Sequence, residues 1–309
     1  MLNRIVEIAE DQRYLSVLRG FMVIESTGVE RRELGRIPLD DIGAVIANAH
    51  GLSYTNNLLV ALAERGAPFV LCGSNHNVVG MLFSVDGNHH QAKRFDAQIR
   101  ISKPIRDRLW ADVIKSKLAW QAAVLERVGS PSAPLKSLVG KVKSGDFENI
   151  EAQGARRYWT LLFGPSFRRN QEAQGANAML NYGYTVLRAM TARAVVAAGL
   201  HPTLGLHHSN ESNPMRLVDD LMEPFRPVID FKVWQLCQKG KMEINAIVKR
   251  EIVLTMFVDI ETKDGISPLS VCIQKAATSL AQIYLGEEKK LYLPTIFPSI
   301  EEFMGDDEP

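Results

Sequence analysis

Short apolar runs with partial two-residue alternation open the chain, at Ile5–Ala9, Leu15–Leu18 and Phe21–Ile24. This spacing predicts strands, because successive side chains of an extended backbone point to opposite faces. Gly20, Gly28 and Gly35 punctuate the runs, and Ile37–Gly51 reads as a further strand preceded by an acidic turn. Leu58, Leu59, Leu62 and Ala63 then follow helical spacing, predicting a helix over Thr55–Arg65 that stops at Gly66. Strand character returns in Ala67–Gly73 and Val78–Phe83.

The texture changes after the run DGNH, which begins at Asp86. Helical periodicity predicts helices over Gln91–Ile101, Ile105–Val128, Asn149–Leu162, Asn177–Ala198, Met215–Gln238, Ala246–Asp259 and Leu269–Tyr284. Gly129, Gly164–Pro165, Gly199, Gly240 and Gly265 mark ends among them. The fold class read from this pattern is α+β: a small β-rich domain over 1–86, then a larger all-α domain over 87–309. No repeat of 20–50 residues is visible. The closing stretch EEFMGDDEP carries five acids and no base and reads as a frayed, solvated end.

Composition narrows the class. With 46% hydrophobic and 23% charged residues, the 309-residue chain is globular rather than disordered. Cys72, Cys237 and Cys272 show neither a disulfide framework nor zinc spacing and read as small buried hydrophobes. The N-terminal stretch carries acids and lacks an apolar core of signal-peptide length, and no run is long enough to span a bilayer. These features predict a reduced, cytoplasmic protein. The net charge of +1 conceals polarity: residues 1–89 hold 7 basic and 10 acidic side chains, whereas residues 91–169 hold 16 basic and 7 acidic. A local net of +9 suits phosphate contact, although helices also carry Lys and Arg on solvated faces.

The densest chemistry lies in Gly205–Pro227, GLHHSNESNPMRLVDDLMEPFRP. Asp220 and Glu223, or Asp219 and Glu223, can share a helical face, and the loop Ser209–Pro214 can fold a histidine back over it. Carboxylates clustered without a base between them raise at least one pKa unless a cation is present. Imidazole with carboxylate oxygens suits Mg²⁺ or Mn²⁺ better than zinc. Acids in the first turn of a helix plus one structural histidine explain the run equally well. Glu151 is the best candidate for a third ligand, because Arg156 and Arg157 follow within two helical turns and would serve a phosphate.

Five blocks add a resemblance: E-A-x-x-A-R-x-Y-W at Glu151–Trp159, NAMLNYGY at Asn177–Tyr184, AAGL at Ala197–Leu200, G-x-x-H at Gly205–His208 and DLMEPFRP at Asp220–Pro227. In order and spacing they resemble the CRISPR-associated Cas1 family, the integrases that capture new spacers, and the ending MEPFRP looks most like the form from type II systems. The resemblance implies that Glu151, His208 and Glu223 hold Mg²⁺ or Mn²⁺, with Asp220 assisting as a fourth catalytic residue. It matches no role to Asp219, and it favours His208 over His207. Because Glu223 precedes Pro224, an α conformation at Glu223 is disfavoured, which weakens the shared-face argument.

The implied activity is metal-dependent attack of a DNA 3′-hydroxyl on a phosphodiester at the edge of a CRISPR repeat. The basic helices, including Arg156, Arg157, Arg168 and Arg169, would bind double-stranded and branched DNA. The implied partners are a second copy of the chain in a homodimer, Cas2 in a heterohexamer-like integration complex, and other type II adaptation proteins with the effector nuclease. Two alternatives stand beside it: a metal-dependent nuclease of branched or single-stranded DNA without integration, and a non-enzymatic architectural DNA-binding protein.

Overall fold

A computed structural model of the protein describes residues 4–28, 30–49, 51–73, 78–85, 88, 90–170, 172–262, 265–299 and 303. Its N-terminal part contains two four-stranded sheets. In one, β1 (Arg4–Ile8), β5 (Ile42–Ala47) and β7 (Phe69–Cys72) run parallel, and β8 (Val78–Leu82) closes the edge antiparallel. In the other, β4 (Glu33–Pro38), β3 (Phe21–Ser26) and β2 (Arg13–Leu18) form an antiparallel meander, with β6 (Leu52–Tyr54) added parallel to β2. Gly35, expected to punctuate, instead lies within β4. Helix α1 (Asn56–Glu64) forms where the leucine spacing places it, with Thr55 capping Leu58.

All six residues of β5 are buried, because both faces of the strand are covered. Val45 and Ala47 pack into a core with Leu58, Leu62 and Phe69, whereas Ala44, Ile46 and Val70 join the core of the helical body. Glu7 on β1 strengthens the junction by accepting hydrogen bonds from Tyr182 Oη at 2.8 Å and Lys249 Nζ at 2.7 Å. The boundary expected at Asp86 lies outside the described residues.

The helical body comprises α2 (Gln91–Arg100), α3 (Lys103–Arg127), α4 (Ala133–Val139), α5 (Ile150–Phe163), α6 (Ala176–Ala197), α7 (Arg216–Met222), α8 (Arg226–Gln238), α9 (Ala246–Leu254) and α10 (Leu269–Leu285). It is not all-α. The hairpin of β9 (Asp259–Thr262) and β10 (Gly265–Pro268) interrupts it, so the helix expected to reach Asp259 ends at Leu254. The helix expected over Met215–Gln238 is divided by a 3₁₀ turn at Glu223–Phe225, where Pro224 cannot donate a backbone hydrogen bond. Even so, Glu223 keeps a right-handed helical conformation, φ −52° and ψ −44°, contrary to the expectation for a residue before proline.

The tail also departs from expectation at one described residue. Phe303 is buried, with its ring 4.8 Å from that of Phe231, and its carbonyl accepts Lys232 Nζ at 3.2 Å. The rest of EEFMGDDEP is outside the described residues. Of the cysteines, only Cys272 is fully buried; Cys72 and Cys237 are half-buried. Among the described residues no helix is long and apolar enough to cross a membrane.

Helix α6 is the axis of the body, with 16 of its 22 residues buried. Gly183 lets α8 and α9 approach it: a Cβ there would lie 2.4 Å from Ile229 Cγ2 and 3.1 Å from Ile252 Cγ2. At the next residue, Tyr184 donates to the buried Asp230 Oδ1 at 2.5 Å, binding α6 to α8. Burial pushes the Asp230 carboxyl up to about 7, against the Tyr184 hydrogen bond and the charge of Arg226.

Two predictions follow from this axis. Gly183→Ala overpacks the crossing and should lower stability by about 1–3 kcal/mol, read from the denaturation midpoint. In the unfolded chain an aspartate titrates near pH 4 (about 3.9), so from there to about 7 the folded state holds the extra proton and Asp230's contribution to stability falls as pH rises. Melting temperatures should therefore fall less between about pH 5 and pH 8 in Asp230→Asn than in the wild type, and equal slopes would exclude Asp230 as the titrating group.

Candidate active site

The site begins with a carboxylate that has no access to solvent. Asp220, on α7, is 0% exposed, so its charge must be satisfied within the protein. The loop before α7 wraps around it. Leu206 N–H donates to Asp220 Oδ2 at 2.6 Å, His207 N–H to the same oxygen at 3.0 Å, and His208 N–H to Oδ1 at 3.3 Å. The loop can come this close because Gly205 lacks a side chain: a Cβ there would lie 2.8 Å from Asp220 Oδ2.

His208 Nδ1 lies 2.5 Å from Asp220 Oδ1, so Nε2 is the ring nitrogen not engaged by Asp220. The Asp220 hydrogen bond raises the His208 pKa against the effect of burial, and the Asp220 and Glu223 charges add to the rise. The neighbouring His207 has a different environment, stacked face to face on Trp110 with ring centroids 4.4 Å apart. Of the two histidines, His208 is the one whose ring lies against Asp220.

Glu151 reaches the site from the first turn of α5. Asp146 caps that helix, accepting Ile150 N–H at 2.9 Å and Glu151 N–H at 3.0 Å, and Asn149 accepts Ala152 N–H at 3.3 Å. A further close approach brings α5 onto α3, since a Cβ at Gly154 would lie 2.3 Å from Leu118 Cδ2. Lys117, the residue before Leu118, thereby meets Glu151 Oε1 at 2.5 Å.

Lys117 is the site residue that sequence reasoning missed. It was counted among the bases for DNA, yet its side chain is only 8% exposed and its Nζ also lies 2.6 Å from Glu223 Oε2. A lysine within the apolar pattern of α3 was the available signal, and only the folded chain supplies its two acidic partners. Arg226 Nε lies 2.9 Å from Glu223 Oε1. Glu223 is therefore held by one cation on each carboxylate oxygen, Lys117 on Oε2 and Arg226 on Oε1.

Burial alone pushes the Glu223 carboxyl up, but Arg226 and Lys117 outweigh it and hold the pKa below the usual carboxylate range. Two cations lie inside the cluster, the condition under which clustered carboxylates are not expected to shift upward. Burial likewise disfavours the Lys117 ammonium, and the Glu223 and Glu151 charges more than reverse that effect.

Glu151, His208 and Glu223 line one cavity of about 600 Å³. Among the described residues no three Asp, Glu, His or Cys side chains are close enough to hold a metal ion as they stand, and the Lys117 ammonium pairs with both glutamates. The donor set nevertheless fits a hard divalent cation: two carboxylates and an imidazole oriented by a buried carboxylate.

The other expected residues divide. Asp219 pairs with Arg188 at 2.7 Å and accepts Asn213 Nδ2 at 2.7 Å, bracing the loop instead of facing the glutamates. Arg169 lies in an adjoining cavity of about 390 Å³ with Arg188, Arg226 and His208, donating to Asn177 Oδ1 at 3.0 Å and Asn181 Oδ1 at 2.6 Å. Arg156, Arg157 and Arg168 are exposed, and Arg168 donates to the carbonyls of Pro165 and Phe167 at 2.7 and 2.8 Å.

Comparison with known proteins agrees with this frame. The family described as "CRISPR associated protein Cas1" matches residues 6–261. A CRISPR-associated endonuclease Cas1 from Neisseria meningitidis serogroup C (strain 8013) is 35% identical over 289 residues, covering 92% of this chain and 93% of that protein. A solved structure titled "Casposase bound to integration product" superposes with a TM-score of 0.79 at 20% identity, covering 93% of this chain and 92% of its own. A chain of a "Cas6-RT-Cas1--Cas2 complex" superposes with a TM-score of 0.74 at 17% identity, covering 93% of this chain and 35% of the larger one. A family match across most of the chain and a relative at this identity establish that the chain belongs to the Cas1 family of CRISPR-associated proteins.

Proposed function

We propose that the protein is a metal-dependent DNA integrase that inserts short DNA fragments into a CRISPR array, joining a DNA 3′-hydroxyl to a repeat-edge phosphodiester. The observation that carries this reading is the convergence of Glu151, His208 and Glu223, from three separate elements, on one cavity. Glu151, His208 and Glu223 would hold Mg²⁺ or Mn²⁺. When bound, the ion supplies Lewis-acid polarisation of the phosphate and charge stabilisation of the transition state.

The chain's own groups set up that chemistry. Asp220 fixes the ring of His208 through Nδ1 and leaves Nε2 unengaged, which makes it a positioning residue. Lys117 and Arg226 balance the glutamate charges while the ion is away. Arg169 and the exposed Arg156, Arg157 and Arg168 offer cations to the phosphates of double-stranded and branched DNA. One site joins one strand, so complete insertion requires at least two copies.

We assign the β-rich segment 1–86 to dimer and partner contacts. Cas2 as a partner is consistent with the assembly named in the similar solved complex, and the need for two sites favours a homodimer. Type II adaptation proteins and the effector nuclease are the further partners implied by the MEPFRP ending. Hydrolysis of branched DNA by the same residues, with water in place of the 3′-hydroxyl, is the second reading, favoured by the word "endonuclease" in the relative's name.

With a 3′-hydroxyl duplex and a repeat-bearing plasmid, wild-type protein should form joined products in Mn²⁺ or Mg²⁺ and none in EDTA. Glu151→Ala, His208→Ala and Glu223→Gln should each abolish joining, and Asp220→Asn should reduce it by about 10- to 100-fold. Nicking without joining would leave the nuclease reading. Full joining by His208→Ala in Mn²⁺ would overturn the site. Lys117→Met tests the ion without catalysis. It leaves the two glutamates without their shared cation and should lower metal-free stability by about 3–5 kcal/mol. Mn²⁺ should then raise the melting temperature more for this variant than for the wild type; equal shifts would mean that lysine and metal do not compete for the glutamates.

A further inference from the structure

The cavity that holds the glutamates has an exposed aromatic lip. Phe147 is 78% exposed, a costly position for a phenyl ring. Gly145, Asp146 and Asn149 all adopt positive φ, at 78°, 47° and 52°, two of them non-glycine residues in a sparsely populated conformation. Asp146 is buried and spends both carboxylate oxygens on the first turn of α5, so the turn is locked. Strain held in this way is characteristic of functional segments.

The ring lies over Gly145, where a Cβ would come within 2.7 Å of Phe147 Cε2, and Lys103 Nζ lies 5.0 Å from its centroid. Two cations share the lip. Lys103 is paired with Asp107 at 2.6 Å, whereas Arg106 makes no ion pair among the described residues and its buried Nε has no hydrogen-bond partner. Both line the same cavity as Glu151 and Glu223.

An exposed ring and a guanidinium without an ion pair, lining one cavity, match one nucleotide, with its base on the ring and its phosphate on the cation. A paired base inside a duplex has both faces covered by its neighbours, so the base that can use Phe147 is an unstacked one. We propose that Phe147 and Arg106 form a nucleotide platform that holds an unpaired nucleotide adjoining the reacting phosphodiester and so positions the DNA branch in the site. This rests on the reading of the cavity as a DNA-processing site and names the part of the substrate that the lip grips.

The test is binding of full-length protein, in EDTA, to a branched DNA with unpaired nucleotides at the junction, followed by fluorescence anisotropy. Phe147→Ala should weaken binding by about 5- to 150-fold, the range that loss of one base–aromatic stack produces, while Phe147→Trp keeps wild-type affinity. Arg106→Gln should reduce the slope of log affinity against log salt by about 1. An abasic site is then moved through the unpaired positions. At one position it should cost the wild type as much as Phe147→Ala does and cost the variant nothing further.

Unchanged binding by Phe147→Ala, or abasic and alanine penalties that add at every position, would overturn the platform and leave the DNA-processing site standing. Failure of the wild type to bind branched DNA would overturn both. Because Phe147 is exposed, the alanine and tryptophan variants should melt with the wild type, which separates a binding loss from a folding one.

Discussion

The site depends on one carboxylate sealed from water. A buried Asp is tolerable only when its oxygens are saturated, and Asp220 achieves this by drawing three consecutive backbone N–H groups and one imidazole around itself. The electrostatic requirement of Asp220 therefore determines the conformation of a loop that contains no regular structure. The geometry of His208 follows from it, because the same oxygen that anchors the His208 backbone also holds its ring.

A second constraint is charge balance around the two glutamates. Glu223 and Lys117 are both nearly buried, and each would be strongly disfavoured alone. Their association with Glu151 and Arg226 makes the charges mutually dependent: removing one leaves its partners buried without compensation. Hydrophobic residues of similar volume would serve stability at least as well, so a charged centre of this kind is better explained by function than by folding. The lysine between the glutamates also links the resting site to the ion proposed to enter it, because both satisfy the same pair of carboxylates.

Packing supplies the short distances. The site joins α3, α5, the turn after α7 and a loop more than 50 residues beyond Glu151 in sequence. Glycines at the α3–α5 and α6–α8 crossings allow backbone approaches that a methyl group would prevent. The β layer joins the same body through β5, whose two faces feed two cores, so the N-terminal segment and the helices are mechanically continuous at that strand.

Much of this was legible in the chain itself. Periodicity located the strands at Ile5, Leu15 and Phe21 and most of the helices, because burial of one face imposes a spacing on each segment. The five motif blocks identified the family and nominated Glu151, His208, Asp220 and Glu223. Where local signals were weak or ambiguous the reading failed: the short α4, the β9–β10 hairpin and the helical conformation of Glu223 were not foreseen. Tertiary structure alone decided that Lys117 belongs to the glutamates rather than to DNA, that Asp219 braces a loop against Arg188, and that Phe147 stands exposed at the lip of the cavity. The physical reason is the same in each case. Periodicity reports which side of its own element a residue faces, whereas the partner of a charge or a ring is chosen by long-range contacts that bring distant segments together.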